Sequence, residues 1–310
     1  MNKEELKNIF QFLENSEYSL DQDIINNHCI DWRGDFIGTS DIILFPKSTS
    51  AISKIIKACE KNHIPIIPQG GNTGLVGGSV PRKDKGEIIL NLKNMNNIRK
   101  INLTDNSVII ESGCILEDLK KKLQEHEMEF PLNMGSKGSC QVGGNIATNA
   151  GGVNYIKYGS IRQNILGLEV ITTSGEIISN LSSIKKNNTG LDLKQIFIGS
   201  EGTLGIITAA IFRIYKKPQE RCILWLGSDS VSEILKTYSY FTKIFCDQIS
   251  SFELMNKKSL EILKKIGIEF RITKEYYCLI ELSNFQDIHS FQNYIMDKIA
   301  NINFNLEDVI

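Results

Sequence analysis

The stretch from Pro68 to Gly78, PQGGNTGLVGG, constrains this chain more than any other feature. It places five glycines among eleven residues, directly after the apolar run 64–67. Because glycine loses more conformational freedom on folding than any other residue, such a loop indicates positive φ angles or a close backbone approach. Backbone N–H groups turned inward by a loop of this kind form an anion-binding nest. A bound phosphate and a plain turn are the two interpretations that the loop alone leaves open.

The residues before this loop alternate between strand and helix patterns. Residues 42–45 predict a short strand, and the hydroxyls of residues 48–50 offer a helix N-cap. Apolar residues then recur with the period of a helix, at Ile52, Ile55, Ile56 and Cys59, before the strand at 64–67. The loop therefore follows a β-α-β unit, a place where open sheets commonly present ligands.

The rest of the chain divides at Lys216-Lys-Pro218. Before this point the pattern predicts strands at 87–92, 107–112 and 209–215, a helix at 115–126, and a hairpin turning at 173–175. Beyond it, strands at 222–226, 251–254 and 276–282 alternate with helices at 231–245, 260–266 and 288–299, as in a ferredoxin-like layer. We therefore predict an α+β protein with an N-terminal helical segment (1–37), a ligand-binding domain (38–218) and a second domain (219–310).

Composition excludes several classes of protein. The net charge of −1 and the scattered lysines and arginines lack the electrostatic footprint of a nucleic-acid binder. Seven separated cysteines without a C-x-x-C pair argue against a disulfide framework or zinc ribbon and indicate reduced thiols. The N-terminus reads as an amphipathic helix rather than a signal peptide, and the longest apolar run, 204–212, is too short to span a bilayer. We expect a cytoplasmic protein, with peripheral membrane contact left open.

Two further glycine-rich stretches accompany the first. They are MGSKGSCQVGGNIATNAGG, from Met134 to Gly152, and IGSEGTLGIIT, from Ile198 to Thr208. Neither a G-x-G-x-x-G fingerprint after a strand nor a G-x-x-x-x-G-K-[ST] P-loop occurs. Three separated stretches, each beside a strand, indicate a long ligand that lies across one domain and is contacted mainly by backbone.

Together with Tyr158-Gly-Ser160, these stretches resemble the FAD-binding domain of the flavoprotein superfamily named after p-cresol methylhydroxylase and vanillyl-alcohol oxidase. Within it, the chain is most similar to the branch of D-2-hydroxyglutarate dehydrogenase, D-lactate dehydrogenase and the glycolate oxidase flavin subunit. The resemblance implies a two-subdomain FAD-binding domain followed by a partial substrate, or cap, domain of ferredoxin-like α+β type.

The resemblance also assigns cofactor contacts to all three stretches. The first would wrap the FAD pyrophosphate, the second would lie along the isoalloxazine and ribityl part, and the third would contact the cofactor through its backbone. The first set comprises Gln69, Gly70, Gly71, Asn72, Thr73, Gly74, Leu75 and Gly77. The second comprises Gly135, Ser136, Ser139, Gly143, Gly144, Asn145, Thr148, Asn149 and Gly151, and the third Glu201, Gly202, Thr203, Gly205, Ile206 and Ile207.

Some of these side chains have simpler interpretations. Glu201 could bond backbone amides instead of flavin, and Lys137 could be a solvated charge instead of a phosphate ligand. Cys140 stands where distant relatives tether flavin, but a buried unreactive thiol is the interpretation we adopt. The first loop has no histidine, the usual attachment point elsewhere in the superfamily, so we expect non-covalent FAD.

The catalytic residues of the branch have no counterpart here. The resemblance places a catalytic histidine and the ligands of a divalent metal in a C-terminal G-H-x-G-D-G-N-x-H-type region, which this sequence lacks. His28, His63, His126 and His289 are isolated, so we interpret them as surface or packing residues. Arg33, Arg162 and Arg271 are weak candidates for binding a carboxylate, and Glu253 matches a family position of unknown role. No catalytic residue is assigned.

The resemblance implies an FAD-dependent dehydrogenase that oxidises D-2-hydroxyglutarate, D-lactate or glycolate. Reduced flavin would pass its electrons to a quinone, a cytochrome or an electron-transfer flavoprotein. The alternative is a non-catalytic FAD-binding subunit or fragment, completed by a second chain that supplies the histidine and metal ligands. Truncation, a split enzyme and a degenerate relative all fit the missing motif, and we favour truncation.

Overall fold

The computed structural model describes residues 2–268, 273–286 and 290–300, which mix helices and strands as the α+β class requires. Arg271, His289 and residues 301–310 lie outside the described residues. The described chain forms two compact units. The first comprises 1–130, 134–150 and 160–215, and the second comprises 131–133, 151–159 and 216–310.

The strands are short in the first half of the chain and longer in the second. In chain order they are β1 (Tyr18–Ser19), β2 (Ile43–Leu44), β3 (Ile66–Gln69), β4 (Ile88–Asn91), β5 (Ile98–Asn102), β6 (Ser107–Glu111), β7 (Met128–Glu129), β8 (Ile165–Thr172), β9 (Ile177–Asn180), β10 (Gly205–Arg213), β11 (Tyr215–Lys216), β12 (Glu220–Ser228), β13 (Ile249–Asn256) and β14 (Tyr276–Asn284).

Eleven α-helices and two short 3₁₀ helices are present in the described residues. The α-helices are α1 (Lys3–Ile9), α2 (Gln22–His28), α3 (Thr49–Lys61), α4 (Leu116–Gln124), α5 (Val142–Ala147), α6 (Tyr155–Tyr158), α7 (Ile161–Asn164), α8 (Lys194–Phe197), α9 (Val231–Phe245), α10 (Lys257–Lys265) and α11 (Phe291–Ile299). The 3₁₀ helices are Asn15–Glu17 and Cys246–Gln248.

The first sheet of the first unit positions the glycine-rich loop. Its strands lie in the order β1-β2-β4-β3, with β2, β4 and β3 parallel to one another. Helix α3 links β2 to β3, and its N-cap Ser48 accepts a hydrogen bond from the N–H of Ala51. The predicted β-α-β unit is therefore confirmed, and the loop begins where β3 ends at Gln69.

The N-terminal helical segment packs into the same core. Leu6, Phe10 and Leu13 are buried together with apolar residues of β2, α3 and β4. The burial of apolar surface drives this packing. Residues 1–37, which we expected to be a segment of their own, therefore share the hydrophobic core of the first unit.

The second sheet of the first unit is antiparallel, in the order β5-β6-β10-β8-β9. Its central strand β10 is buried along almost its whole length, and it begins at Gly205 rather than at the predicted residue 209. The predicted hairpin joins β8 to β9, and Gly175 in its turn has a φ of 77°. A side chain at this angle would be strained, so glycine suits the turn.

The second unit has a three-stranded antiparallel sheet in the order β12-β14-β13. Helices α9 and α11 cover it with buried residues that include Phe241, Phe245, Phe291 and Ile295. The predicted alternation of strands and helices beyond residue 218 is confirmed, while residue 288, the predicted start of the last helix, lies outside the described residues.

Candidate functional site

The glycine-rich loop borders a cavity of about 340 Å³ within the first unit. That volume lies in the range of roughly 300–1,000 Å³ that small-molecule and cofactor sites occupy. Two segments of chain supply most of its lining, namely the loop and the start of α5 with the residues before it. The lining residues are Pro68, Gly70, Gly71, Asn72, Thr73, Gly74, Leu75, Val76, Gly78, Ser79, Met134, Ser136, Cys140, Gln141, Gly144, Asn145, Ala147, Thr148 and Glu201.

The loop offers a run of free backbone donors. In the part of the chain that the structure describes, no residue accepts a hydrogen bond from the N–H groups between Gly71 and Gly78. Asn72 lies in the left-handed region with a φ of 52°. Because right- and left-handed residues in succession turn neighbouring N–H groups to one side, this geometry suits an anion-binding nest.

The side chain of Asn72 holds the loop in shape. Its Nδ2 donates to the carbonyl oxygen of Ile30 at 2.7 Å, and its Oδ1 accepts from the Ser79 hydroxyl at 2.7 Å. Both ends of this amide are hydrogen-bonded within the protein, and the two bonds fix the backbone of the loop. Asn72 also lines the cavity, and its predicted contact with the cofactor stays a prediction.

Gln69 holds the base of the loop in a similar way and does not line the cavity. Its Nε2 donates to the carbonyl oxygens of His28 and Ser79, at 2.9 and 2.8 Å. Its Oε1 accepts from Asn91 Nδ2 at 3.0 Å and lies 2.6 Å from His28 Nδ1. Burial lowers the pKa of His28, although the hydrogen bond with Gln69 acts in the opposite direction. His28 is therefore a packing residue that helps to anchor the loop, as the sequence indicated.

The second glycine-rich stretch supplies the opposite wall, and it forms a helix that the sequence did not predict. Gly144, Asn145 and Thr148 lie in or just after α5 and line the cavity, as Ser136 does. Gly143 instead faces Ser112, the residue after β6, where a Cβ would lie 2.5 Å from the Cβ of that serine. Gly144 has no atom within 4 Å of the position of a Cβ. Gly143 therefore permits close packing, and Gly144 leaves the cavity open.

Gln141 is a cavity residue that sequence reasoning missed. Only 7% of this residue is exposed, and its Oε1 is buried without a hydrogen-bond partner among the described residues. An unsatisfied buried acceptor is rare and costs free energy, so it indicates a donor supplied from outside the chain. A lone glutamine between Cys140 and Val142 carries no sequence signal that distinguishes it from its neighbours.

Cys140 also lines the cavity. Its thiol is buried and accepts a hydrogen bond from Asn145 Nδ2 at 3.5 Å. Among the described residues, the only charged side chain in the lining is that of Glu201. Since no described lysine or arginine lines this cavity, an anion bound there would be held by backbone N–H groups rather than by a cation.

The other predicted cofactor residues do not line the glycine-loop cavity. Gly77 packs against the ring of Phe36. Ser139 lies behind the loop, with its carbonyl oxygen 2.0 Å from the position that a Cβ on Gly71 would take. A separate cavity that shares Pro68 is lined by Gly202, Thr203, Gly205 and Ile206. Gly151 belongs to the second unit. Gly135, Asn149 and Ile207 are also not among the residues that line the glycine-loop cavity.

None of the candidate substrate residues that the structure describes lines the glycine-loop cavity. Arg33 pairs with Asp35 at 3.2 Å, and Arg162 donates to the backbone carbonyl of Gln195. Glu253 lies on β13, and His63 and His126 are exposed. Among the described residues, no three His, Cys, Asp or Glu side chains come together as metal ligands would. None of the described helices is long and apolar enough to cross a membrane.

The cavity fits the FAD that the sequence implies. Its glycines leave space for a flat ring system, the N–H groups from Gly71 to Gly78 suit a pyrophosphate, and Gln141 Oε1 requires a donor. Flavin and ribityl groups carry such donors.

Comparison with known proteins agrees with this fit. Residues 40–180 match the family model of the FAD binding domain. The chain is 39% identical over 271 residues to the mitochondrial D-2-hydroxyglutarate dehydrogenase of Danio rerio, covering 87% of this chain and 50% of that protein. It is also 39% identical over 263 residues to a D-2-hydroxyglutarate–pyruvate transhydrogenase of Saccharomyces cerevisiae, covering 84% of this chain and 53% of that protein. The chain thus spans about half the length of these curated relatives.

A solved structure shares the fold. Alkyldihydroxyacetonephosphate synthase superposes with a TM-score of 0.79 at 18% sequence identity, over 97% of this chain and 59% of that one. At this identity the likeness establishes the fold alone. Residues 40–180 are therefore similar to the FAD binding domain family, and the chain shares the fold of alkyldihydroxyacetonephosphate synthase.

Proposed function

We propose that the glycine-loop cavity binds FAD non-covalently and that the protein oxidises a D-2-hydroxy acid. The observation that carries the proposal is the run of unpaired N–H groups from Gly71 to Gly78 in a cavity without a lysine or arginine. The substrate class rests on similarity to two proteins named for D-2-hydroxyglutarate. D-2-hydroxyglutarate, D-lactate and glycolate are the substrates to test, in that order.

In this proposal each part of the cavity has a separate task. The loop N–H groups bind the pyrophosphate, while Asn72 and Gln69 hold the loop in its binding conformation. Gln141 Oε1 accepts a hydrogen bond from the cofactor, and Gly144 leaves room for it. Bound FAD supplies the hydride acceptor for the oxidation. The loop has no histidine, and the Cys140 thiol accepts a hydrogen bond from Asn145. In this proposal the protein therefore holds the cofactor without a covalent link.

The groups that act on the substrate are proposed from the resemblance and not from residues of the cavity. Oxidation of a hydroxy acid requires a base for the hydroxyl proton and a cation for the carboxylate. We place the base and the divalent metal ligands that the resemblance implies outside the described residues, with a second chain as one source of them. The electron acceptor also stays a prediction, with a quinone, a cytochrome and an electron-transfer flavoprotein as the candidates. The cytoplasmic location stays a prediction too, and the Danio rerio relative is named mitochondrial.

Anaerobic reduction of the FAD-loaded protein tests the activity. D-2-hydroxyglutarate, D-lactate and glycolate are added in turn, with L-2-hydroxyglutarate as the stereochemical control, and absorbance near the flavin maximum is followed. Loss of the flavin colour with D-2-hydroxyglutarate, D-lactate or glycolate, but not with L-2-hydroxyglutarate, supports the dehydrogenase. A flavin that binds but is not bleached favours the alternative, an FAD-binding subunit or fragment that needs a second chain. A protein that binds no flavin contradicts both.

A further inference from the structure

The arginines of this chain divide into two groups. Four of the six in the described residues contact a carboxylate: Arg33 pairs with Asp35, Arg82 with Glu87, Arg99 with Glu111 and Glu169, and Arg221 with Glu281. Arg162 and Arg213 have no carboxylate partner within the described part of the chain. These two arginines line the same cavity.

This cavity, which we call the arginine cavity, has a volume of about 370 Å³. It lies in the first unit, bordered by β8, the end of β9 and the segment 184–197. None of its lining residues also lines the glycine-loop cavity. It is therefore a separate site, and it plays no part in the proposed binding of FAD.

The lining of the arginine cavity carries excess positive charge. Its cations are Arg162, Arg213, Lys185 and Lys194, and among the described residues its only carboxylate is that of Asp192. Asp192 is already paired with Lys194, at 2.6 Å, and Lys185 interacts electrostatically with Asp105 outside the lining. Since these two lysines are compensated, the two guanidinium groups supply the field that favours an anion.

Arg213 is the least satisfied of these groups. Its Nε is buried and has no acceptor among the described residues. A buried donor of a charged group without an acceptor is costly, and a guanidinium fork matches the two oxygens of a carboxylate or phosphate. Arg162, by contrast, is held in place by the Gln195 carbonyl and Oε1, at 3.0 and 2.7 Å, and by the carbonyl of Ile198.

The remaining lining adds apolar surface beside the charge. Ile184 and Leu191 are 64% and 87% exposed, and both line the cavity together with Ile178 and Leu193. Exposed side chains of this size in one place commonly mark a binding surface. They suit a ligand with an apolar body as well as an anionic group.

We propose that the arginine cavity binds a small organic oxyanion, whose carboxylate or phosphate group contacts Arg213 and whose apolar part lies against Ile184 and Leu191. This site goes beyond the proposed FAD chemistry and does not depend on it. A ligand that binds here would contact the first unit at a site separate from the glycine-loop cavity.

Calorimetric titration of the FAD-loaded full chain tests the proposal at constant ionic strength. The probes are inorganic phosphate and hexanoate, which separate the two kinds of head group, with chloride as the control anion. We expect saturable binding of at least one probe and none of chloride. Arg213→Gln should weaken that binding at least tenfold, whereas Arg221→Gln, which removes an arginine from the second unit, should leave it unchanged.

Arg213→Lys keeps the positive charge but loses the fork, and it replaces Arg213→Gln if that variant fails to fold. We expect the lysine variant to bind the probe several times more weakly than the parent protein. Equal binding by the parent and the Arg213 variant that folds would overturn the proposal. So would heats that match those of chloride, or binding that appears only in FAD-free protein, because the probe would then occupy the glycine-loop cavity.

Discussion

At the scale of single residues, the adjacent glycines of α5 separate packing from ligand binding. Gly144→Ala places a methyl group in the glycine-loop cavity, where it meets no protein atom within 4 Å. Because alanine favours a helix over glycine by up to about 1 kcal/mol, we expect the flavin-free variant to be as stable as the parent or more so. Its affinity for FAD should fall about tenfold, a loss of about 1.4 kcal/mol.

Two other glycines provide the controls. Gly143→Ala would bring a Cβ within 2.5 Å of Ser112, so it should lower the free energy of unfolding by about 1–3 kcal/mol. Gly138→Ala meets only the Glu117 carboxylate, at 3.5 Å, and should change neither quantity. Urea denaturation and fluorescence titration with FAD measure the two effects. Undiminished FAD affinity in Gly144→Ala would show that the cofactor does not occupy this cavity.

Gln141 provides a second test at this scale. Gln141→Leu removes an acceptor that is unsatisfied in the protein alone, so the flavin-free variant should gain about 1 kcal/mol of stability. It should bind FAD about fivefold more weakly, because one hydrogen bond to the cofactor is lost. Gln124→Leu, on the exposed end of α4, is the control. A destabilised Gln141→Leu that retains full FAD affinity would assign the side chain to packing instead.

At the scale of elements, Glu169 on β8 joins three of its neighbours. Its carboxylate accepts from Thr49 on α3 and Thr208 on β10, both at 2.8 Å, and pairs with Arg99 on β5 at 3.3 Å. Burial acts to raise the pKa of Glu169, but the hydrogen bonds from Thr49, Thr208 and Arg99 outweigh it, and the pKa is lowered. The ionised form is therefore the one that stabilises the fold.

This arrangement predicts how stability depends on pH. Because the pKa is lower in the folded state, the stabilisation is fully present above the unfolded value of about 4.3 and is lost as the pH falls through the folded value. Glu169→Gln should cost about 2 kcal/mol at pH 7, and this difference from the parent should shrink below about pH 4. Urea denaturation at a series of pH values tests it. A difference that stays constant down to pH 3 would exclude the ionised carboxylate as its source.

Elements with a strong local signal could be predicted from the sequence. Ser48 caps α3 as its hydroxyl suggested, and the turn at Gly175 joins β8 to β9. Helix α5 could not be predicted, because its glycines disfavour a helix, and the need for Gly143 becomes visible only in its packing against Ser112. The same limit applies to Gln141 and Asn72, whose roles depend on what surrounds them in space.

At the scale of the whole molecule, the chain combines a unit that contains the match to the FAD binding domain family with a second compact unit. Three glycine-rich stretches were predicted to contact one ligand, but among the described residues only parts of the first and second line the glycine-loop cavity, with Glu201 from the third. Sequence resemblance assigns a whole stretch to the cofactor, whereas tertiary packing decides which residues of that stretch face the cavity. The assignment of the remaining residues to FAD stays a prediction.

The central claim is that the glycine-loop cavity holds one FAD without a covalent bond. Its most direct test is the amount of flavin that purified protein, saturated with FAD and desalted, releases on acid denaturation. We predict one FAD per chain in the supernatant and a colourless protein pellet. A protein that retains no flavin after desalting, or a pellet that remains yellow, would contradict the claim.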